Sequence, residues 1–275
     1  MILRSAIDSL AAVLFPAPCR ICGAVLLNAS RIPICVACLA SFEPIPPPVC
    51  ERCGKPFLTP VGADSVQPRC RLCREDFFAF DFARSYGVYN DALHHAILLL
   101  KYEEVTRLGD WFAARLAEVV AREAEAFRAD VVVPVPLHPD RQRERGYNQA
   151  ELIARPSARR LHPKQGVYLL MRTKPRPARL VLSRKEHWDS VRGAYATRKG
   201  LRVDKLRVLL VDDVMTTGAT LDACARALRS AGASSVLALT VARVVTGRSP
   251  SGLPQGLEAK KVETNEKGAE SILTG

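Results

Sequence analysis

No stretch of this 275-residue chain stays apolar long enough to cross a bilayer. A spanning helix needs about 20 such residues, whereas the best runs, 96–100 and 236–241, end after five or six. Residues 1–15 make a poor secretion signal: they carry Arg4 and Asp8 and lead into a proline-flanked Cys19. Aromatic residues make up only 6% of the chain, and the cysteine-rich region holds just Phe42 and Phe57, which argues against a base-stacking platform there. No internal repeat is evident beyond paired cysteines. A disordered or fibrous protein is excluded by an apolar content of 48%.

Acidic residues are also short, with 28 Asp and Glu against 40 Lys and Arg, for a net charge of +12. The imbalance is local. Residues 137–207 hold 19 basic and 6 acidic side chains, so the remainder is close to neutral. A solvated face normally mixes both signs, and a segment this basic suits polyanions, whether phosphate esters or nucleic acid.

Nine cysteines are present, and eight of them form four CxxC pairs: Cys19/Cys22, Cys35/Cys38, Cys50/Cys53 and Cys70/Cys73. Two thiolates separated by two residues grip one ion from a single turn, and two such turns complete tetrahedral Zn(II). The spacing groups Cys19, Cys22, Cys35 and Cys38 in one structural zinc site and Cys50, Cys53, Cys70 and Cys73 in a second. A disulfide framework, the rival reading, belongs to secreted chains. A reducing compartment, the cytoplasm, is therefore expected.

Residues 1–16 show the three- and four-residue apolar spacing of an amphipathic helix, and 17–76 form the proline-rich zinc module, held by metal rather than by a core. From residue 77 the pattern alternates. Strands are expected at 82–89, 131–135, 167–171, 206–211 and 235–245, and helices at 91–100, 108–127, 148–154 and 219–231. This alternation predicts an α/β domain over 77–246 with a mainly parallel sheet, helices on both faces and ligand loops at the carboxyl ends of the strands. Residues 247–275 read as a disordered tail. The basic, proline-interrupted segment 172–202 reads as a mobile flap.

The most informative residues are 208–220, VLLVDDVMTTGAT. An apolar strand ends in Asp212 and Asp213, and a turn of Val214, Met215, Thr216, Thr217 and Gly218 leads into a helix at Ala219 and Thr220. Backbone amides and threonine hydroxyls there can surround a monophosphate at the positive helix end, with Gly218 allowing close approach. Two carboxylates beside a phosphate cradle would repel the ligand unless they face something else. A ribose 2′,3′ diol, which donates hydrogen bonds, accounts for both.

This pattern resembles the phosphoribosyl pyrophosphate (PRPP) signature of type I phosphoribosyltransferases. Further motifs accompany it: Val133-Pro134-Val135-Pro136-Leu137-His138, Arg145-Gly146-Tyr147-Asn148-Gln149, Leu182-Ser183-Arg184, and Val191-Arg192-Gly193-Ala194-Tyr195. Behind a double zinc ribbon, the set resembles the ComF (competence protein F) family over residues 8–244.

The resemblance implies a type I phosphoribosyltransferase-like fold and a transferase acting on PRPP, with Asp212 and Asp213 as its catalytic pair. By similarity, Pro134, Val135 and Pro136 line the pyrophosphate loop and Arg141, Arg143 and Arg145 supply counter-charge. Lys101, Arg184 and Arg192 are expected to contact PRPP, while Tyr147 and Asn148 line the site. Magnesium is expected with the pyrophosphate, keeping waters and substrate oxygens as ligands rather than a cage of side chains. The family role implied is DNA uptake in natural transformation, with an unidentified acceptor. The alternative is a non-catalytic component that binds single-stranded DNA or a helicase-like competence protein, with PRPP as a regulatory ligand. Two departures stand out: Ser190 replaces the Asn more common in the family, and Arg155-Pro156-Ser157 interrupts a usually cleaner helix. Purine-salvage relatives in the wider superfamily have an acid where this chain has Thr216, which disfavours a purine acceptor.

Overall fold

The computed structural model describes residues 17–26, 32–57, 68–165, 168–175 and 184–245. The helix expected at 1–16 and the tail expected from 247 lie outside the described residues. At the centre is a sheet of five parallel strands in the order β1-β7-β6-β2-β3, where β1 is Phe82–Val88, β2 Val131–Pro134, β3 Lys164–Gln165, β6 Arg207–Met215 and β7 Ser235–Arg243. Burial on both faces explains why β2, β6 and β7 read as nearly unbroken apolar runs instead of alternating ones.

Successive side chains point to opposite faces of a strand, and here that separates two cores. Val208 and Leu210 of β6, with Val236 and Ala238 of β7, pack beneath helix α8 (Ala219–Ser230). Leu209, Val211, Leu237, Leu239 and Val241 pack against α3 (Asp91–Tyr102), α4 (Leu108–Arg122) and α6 (Gln149–Leu161) on the other face. Leu108, Phe112 and Leu116, spaced by one turn along α4, are fully buried there, each contributing roughly 2 kcal/mol of apolar burial.

Three expectations are corrected. Helix α4 ends at Arg122 instead of continuing to 127. Helix α6 passes through Pro156 to Leu161, because the missing N–H frees only one carbonyl and Ser157 Oγ donates to Ile153 O at 2.8 Å. The strand expected at 167–171 is displaced to β4 (Leu170–Arg172), which pairs with β5 (Tyr195–Thr197) in a hairpin outside the main sheet, and the described part of the flap segment also carries α7 (Arg184–Val191). The short polar helix α5 (Pro139–Arg145) was not anticipated as an element.

The cysteine modules carry helices α1 (Val36–Ala40) and α2 (Arg71–Arg74). They lean on opposite faces of the sheet. Leu26, Ile34 and Phe42 of the first join the α3/α4 core, where the Phe42 and Trp111 rings meet edge-on at 5.5 Å. The second module is built into the sheet edge: Ala83 N donates to Arg52 O at 2.7 Å, and Arg52 Nη2 donates to Phe78 O at 2.6 Å. Among the described residues no helix is long and apolar enough to cross a membrane.

Candidate functional site

The two cysteine groups test directly for zinc. In a tetrahedron with Zn–S near 2.3 Å the sulfurs stand about 3.8 Å apart. Cys19 and Cys38 are 3.9 Å apart, Cys22 and Cys35 3.7 Å, and Cys53 and Cys70 3.8 Å. Such separations are nearly twice a disulfide bond of about 2.05 Å. The four sulfurs of each group lie within 4.8 Å of one another, in the pairing that spacing predicts. Backbone N–H groups add to the fit, with Cys35 N directed at Cys19 Sγ and Cys70 N at Cys50 Sγ, both at 3.3 Å.

A second constellation occupies the carboxyl edge of the sheet. Asp212 and Asp213, 8% and 5% exposed, lie within β6, whose last residue is Met215. Asp212 Oδ1 accepts from Asp213 N at 2.9 Å. Burial, reinforced by the neighbouring Asp213 charge, pushes the Asp212 carboxyl well above the usual carboxylate range. Lys101, at the end of α3, brings Nζ to 2.5 Å from Asp213 Oδ2. Asp213 Oδ2 is buried, with the Lys101 ammonium beside it.

Beyond Met215 the chain turns at Gly218, whose φ of +85° is the left-handed region that glycine favours. A Cβ there would meet Met215 Cε and Phe78 Cε1, each at 2.9 Å. Helix α8 begins at Ala219, whose amide is directed at Thr217 Oγ1 at 3.3 Å. Thr217 is half-buried, and a small dimple is lined by exposed Thr216 and half-buried Thr220 together with Val214, Met215, Gly218 and Ala219. The opening amides of a helix lack intrahelical partners, and its dipole favours anions.

Pro134, Val135 and Pro136 end β2 on the same edge. Asn148, 5% exposed, joins this loop to α6: Nδ2 donates to Val135 O at 3.0 Å while Oδ1 caps Ala150 N. Tyr147 donates from its hydroxyl to Leu100 O at 2.6 Å, tying the same turn to the end of α3. Both fix loops. Arg145 stacks over the Tyr102 ring at 4.9 Å and donates to Gln149. Arg141 and Arg143 pair along α5 with Glu144 and Asp140.

The remaining expected residues are Lys101, Arg192 and Arg184. Lys101 sits on an aspartate and not at the phosphate turn. Arg192 is exposed on the α7 hood, where Lys174 Nζ donates to its carbonyl at 3.0 Å. The Arg184 side chain lies outside the described residues.

Sequence reasoning missed Asp222, Phe78 and Arg243. Asp222 Oδ1 accepts from Ala79 N at 2.7 Å and Oδ2 from Arg226 Nε at 2.7 Å, locking the first turn of α8 to the chain leaving the second cysteine module. The four-residue spacing of Asp222 and Arg226 was a visible signal. Phe78 stacks on Phe80 at 4.6 Å beneath Gly218, and nothing in the sequence announced that contact.

Comparison with known proteins agrees with both constellations. A double zinc ribbon domain matches residues 10–76, and a phosphoribosyl transferase domain matches 153–262. The chain is 28% identical to the competence protein ComFC of Bacillus subtilis (strain 168) over 221 residues, covering 76% of this chain and 84% of that one. It is 27% identical to competence protein F of Haemophilus influenzae, covering 79% and 93% respectively. Against the DNA utilization protein YhgH of Escherichia coli (strain K12), identity is 34% over 39% of this chain and 46% of that protein. The protein is thus a double zinc ribbon joined to a phosphoribosyltransferase-like domain. Over about three quarters of its length it is similar to the competence proteins of the ComF family.

Proposed function

We propose that this protein binds PRPP at the carboxyl edge of its sheet as a ComF-type phosphoribosyltransferase-like protein linked to DNA uptake. The observation that carries this reading is the buried acidic pair Asp212 and Asp213, with Lys101 beside Asp213 Oδ2, on the same strand that leads into the turn opening α8. A ribose hydroxyl donates to that oxygen. A second hydroxyl of the diol donates to Asp212 and offsets the repulsion between neighbouring acids. The 5′-phosphate then occupies the turn of Thr216, Thr217, Gly218, Ala219 and Thr220 at the start of α8, and pyrophosphate lies over Pro134, Val135 and Pro136. Tyr147 and Asn148 hold that loop at a fixed distance from α3. Mg(II) would neutralise the pyrophosphate through substrate oxygens and water. The hood of α7, β4 and β5, with Arg184 and Arg192, excludes water from the anomeric carbon.

The names of the relatives, competence protein and DNA utilization protein, support a place in DNA uptake; the proposal sets the protein in the cytoplasm and divides the chain at residue 76 between ribbons and transferase domain. One observation favours a second reading. Between the hood and α8 lies a cleft of about 770 Å³ lined by Phe77, Trp188, Arg192 and Arg226. Aromatic faces with guanidinium groups suit single-stranded DNA, in which case PRPP regulates binding to DNA or to a helicase-like partner.

Isothermal titration with PRPP and Mg(II) tests the first reading: wild type should bind, and the doubly substituted Asp212→Asn/Asp213→Asn should not. Absence of binding by wild type would overturn it. For the second, single-strand affinity should fall as salt rises, because neutralised phosphates release counterions.

A further inference from the structure

Arg243 ends β7 with its side chain inside the protein, only 5% exposed, between the second zinc cluster and the phosphate turn. Nη1 donates to Cys53 O and to Met215 Sδ, each at 2.8 Å, and Nη2 reaches Cys53 Sγ at 3.7 Å. Nε has no hydrogen-bond partner. Among the described residues no carboxylate pairs with this guanidinium, although arginine remains charged in proteins and a buried charge is costly unless compensated.

The compensation is the cluster. Four thiolates and one Zn(II) carry a formal charge of −2, and Cys53 is one of those thiolates. On its other side Arg243 holds Met215, whose Cε lies against Gly218 at the opening of α8. The same knuckle reaches the turn by a second route, through the bonds of Arg52 to the carbonyls of Phe78 and Phe80, with Phe78 packed on Gly218.

We propose that Arg243 is a positioning residue that couples the second zinc cluster to the phosphate turn, so that occupancy of Cys50, Cys53, Cys70 and Cys73 sets the geometry of Met215–Ala219. Metal loss there would release the Cys53 carbonyl and sulfur, leaving Arg243 without its anionic partner and Met215 without its anchor. Metal loss at the first cluster would leave this contact intact. Identifying the turn as a phosphate site rests on the function proposed above; the mechanical coupling does not.

The test uses the full chain with both sites loaded, and compares wild type with Arg243→Met and Arg243→Lys. Metal content, amide hydrogen exchange at 215–219 and affinity for ribose 5-phosphate are measured together. Arg243→Met should keep two zinc ions, exchange those amides about tenfold faster and bind ribose 5-phosphate about tenfold more weakly. Arg243→Lys, which keeps a charge opposite the thiolates, should recover most of both losses. Removing the second zinc from wild type should reproduce the Arg243→Met exchange pattern and add nothing further in that variant. Wild-type exchange in a fully zinc-loaded Arg243→Met would overturn the proposal. Should that variant lose its second zinc, Met215→Leu decides, since it keeps the volume and removes the sulfur acceptor; unchanged exchange there also overturns it. Altered exchange with no binding of ribose 5-phosphate to wild type would sink the ligand assignment and leave the coupling standing.

Discussion

Lys101 and Asp213 form an ion pair of 2.5 Å between the end of α3 and the end of β6, with side-chain exposures of 20% and 7%. Each element is positioned by its own core, so the pair forms with little freedom left to lose. Removing one partner of a buried pair leaves an uncompensated charge and costs 3–5 kcal/mol in a fully enclosed site. Lys101 is partly open to water, so Lys101→Met should cost about 2 kcal/mol, lowering the unfolding temperature by about 6 °C. Asp213→Asn should cost less, since it removes the buried charge itself. Thermal unfolding of both variants checks this; equal temperatures for Lys101→Met and wild type would refute it.

The raised Asp212 carboxyl makes stability depend on pH in a defined direction. An unfolded aspartate ionises near pH 4, whereas the folded one resists because of burial and the adjacent Asp213. Below about pH 4 both states are protonated and there is no penalty; as pH rises the unfolded chain gains ionisation energy first, and stability falls until the folded pKa is passed. Asp212→Asn has no such loss. Its unfolding temperature should therefore gain on wild type as pH rises above about 4, even as ribose binding disappears. A constant or narrowing gap would show that Asp212 is not held neutral by its surroundings.

What the sequence disclosed followed physical period and spacing. The runs at 131–135, 206–211 and 235–245 announced buried parallel strands because both faces are covered, and CxxC spacing announced tetrahedral sites because one turn sets one edge of the tetrahedron. The DD-to-TTGAT segment likewise announced a strand, a turn and a helix opening. Side-chain pairings across distant elements were not legible. The pairing of Lys101 with Asp213, 112 positions later, is a contact created only when α3 and β6 converge. Arg243 looked like an ordinary charged strand terminus, and its partners are Cys53 and Met215. Helices α5 and α7 escaped notice because they are short and polar, with no apolar stripe for periodicity to detect.

Pro156 and Gly109 illustrate one such distant fit. Proline removes the hydrogen bond to the Leu152 carbonyl, and a Cβ on Gly109 of α4 would stand 2.5 Å from that oxygen. The glycine lets α4 approach the bare carbonyl closely. Gly109→Ala must push the helices apart, an overpacking cost of about 1–3 kcal/mol that outweighs the gain of roughly 1 kcal/mol alanine brings to a helix interior. Denaturant unfolding should show a lower midpoint. Should the variant prove more stable than wild type, the tight crossing is not a constraint.

The two zinc sites should release metal at different rates because they are embedded differently. In the first cluster only Cys19 is buried, Cys22 is exposed, and the module leans on α3 and α4 through a few apolar contacts. In the second, Cys50, Cys53 and Cys73 are buried, and the knuckle that carries them bonds to β1 at Ala83 and to β7 through Arg243. Opening the second cluster must break the sheet edge as well as the metal site, whereas the first can open locally. Under a chromogenic chelator, zinc release should be biphasic with equal amplitudes, and the fast phase should vanish in Cys22→Ser, which disables the first site. Far-ultraviolet circular dichroism should stay nearly constant through the fast phase and decline through the slow one. A single phase, or loss of sheet signal during the fast phase, would show that the first module is as deeply integrated as the second.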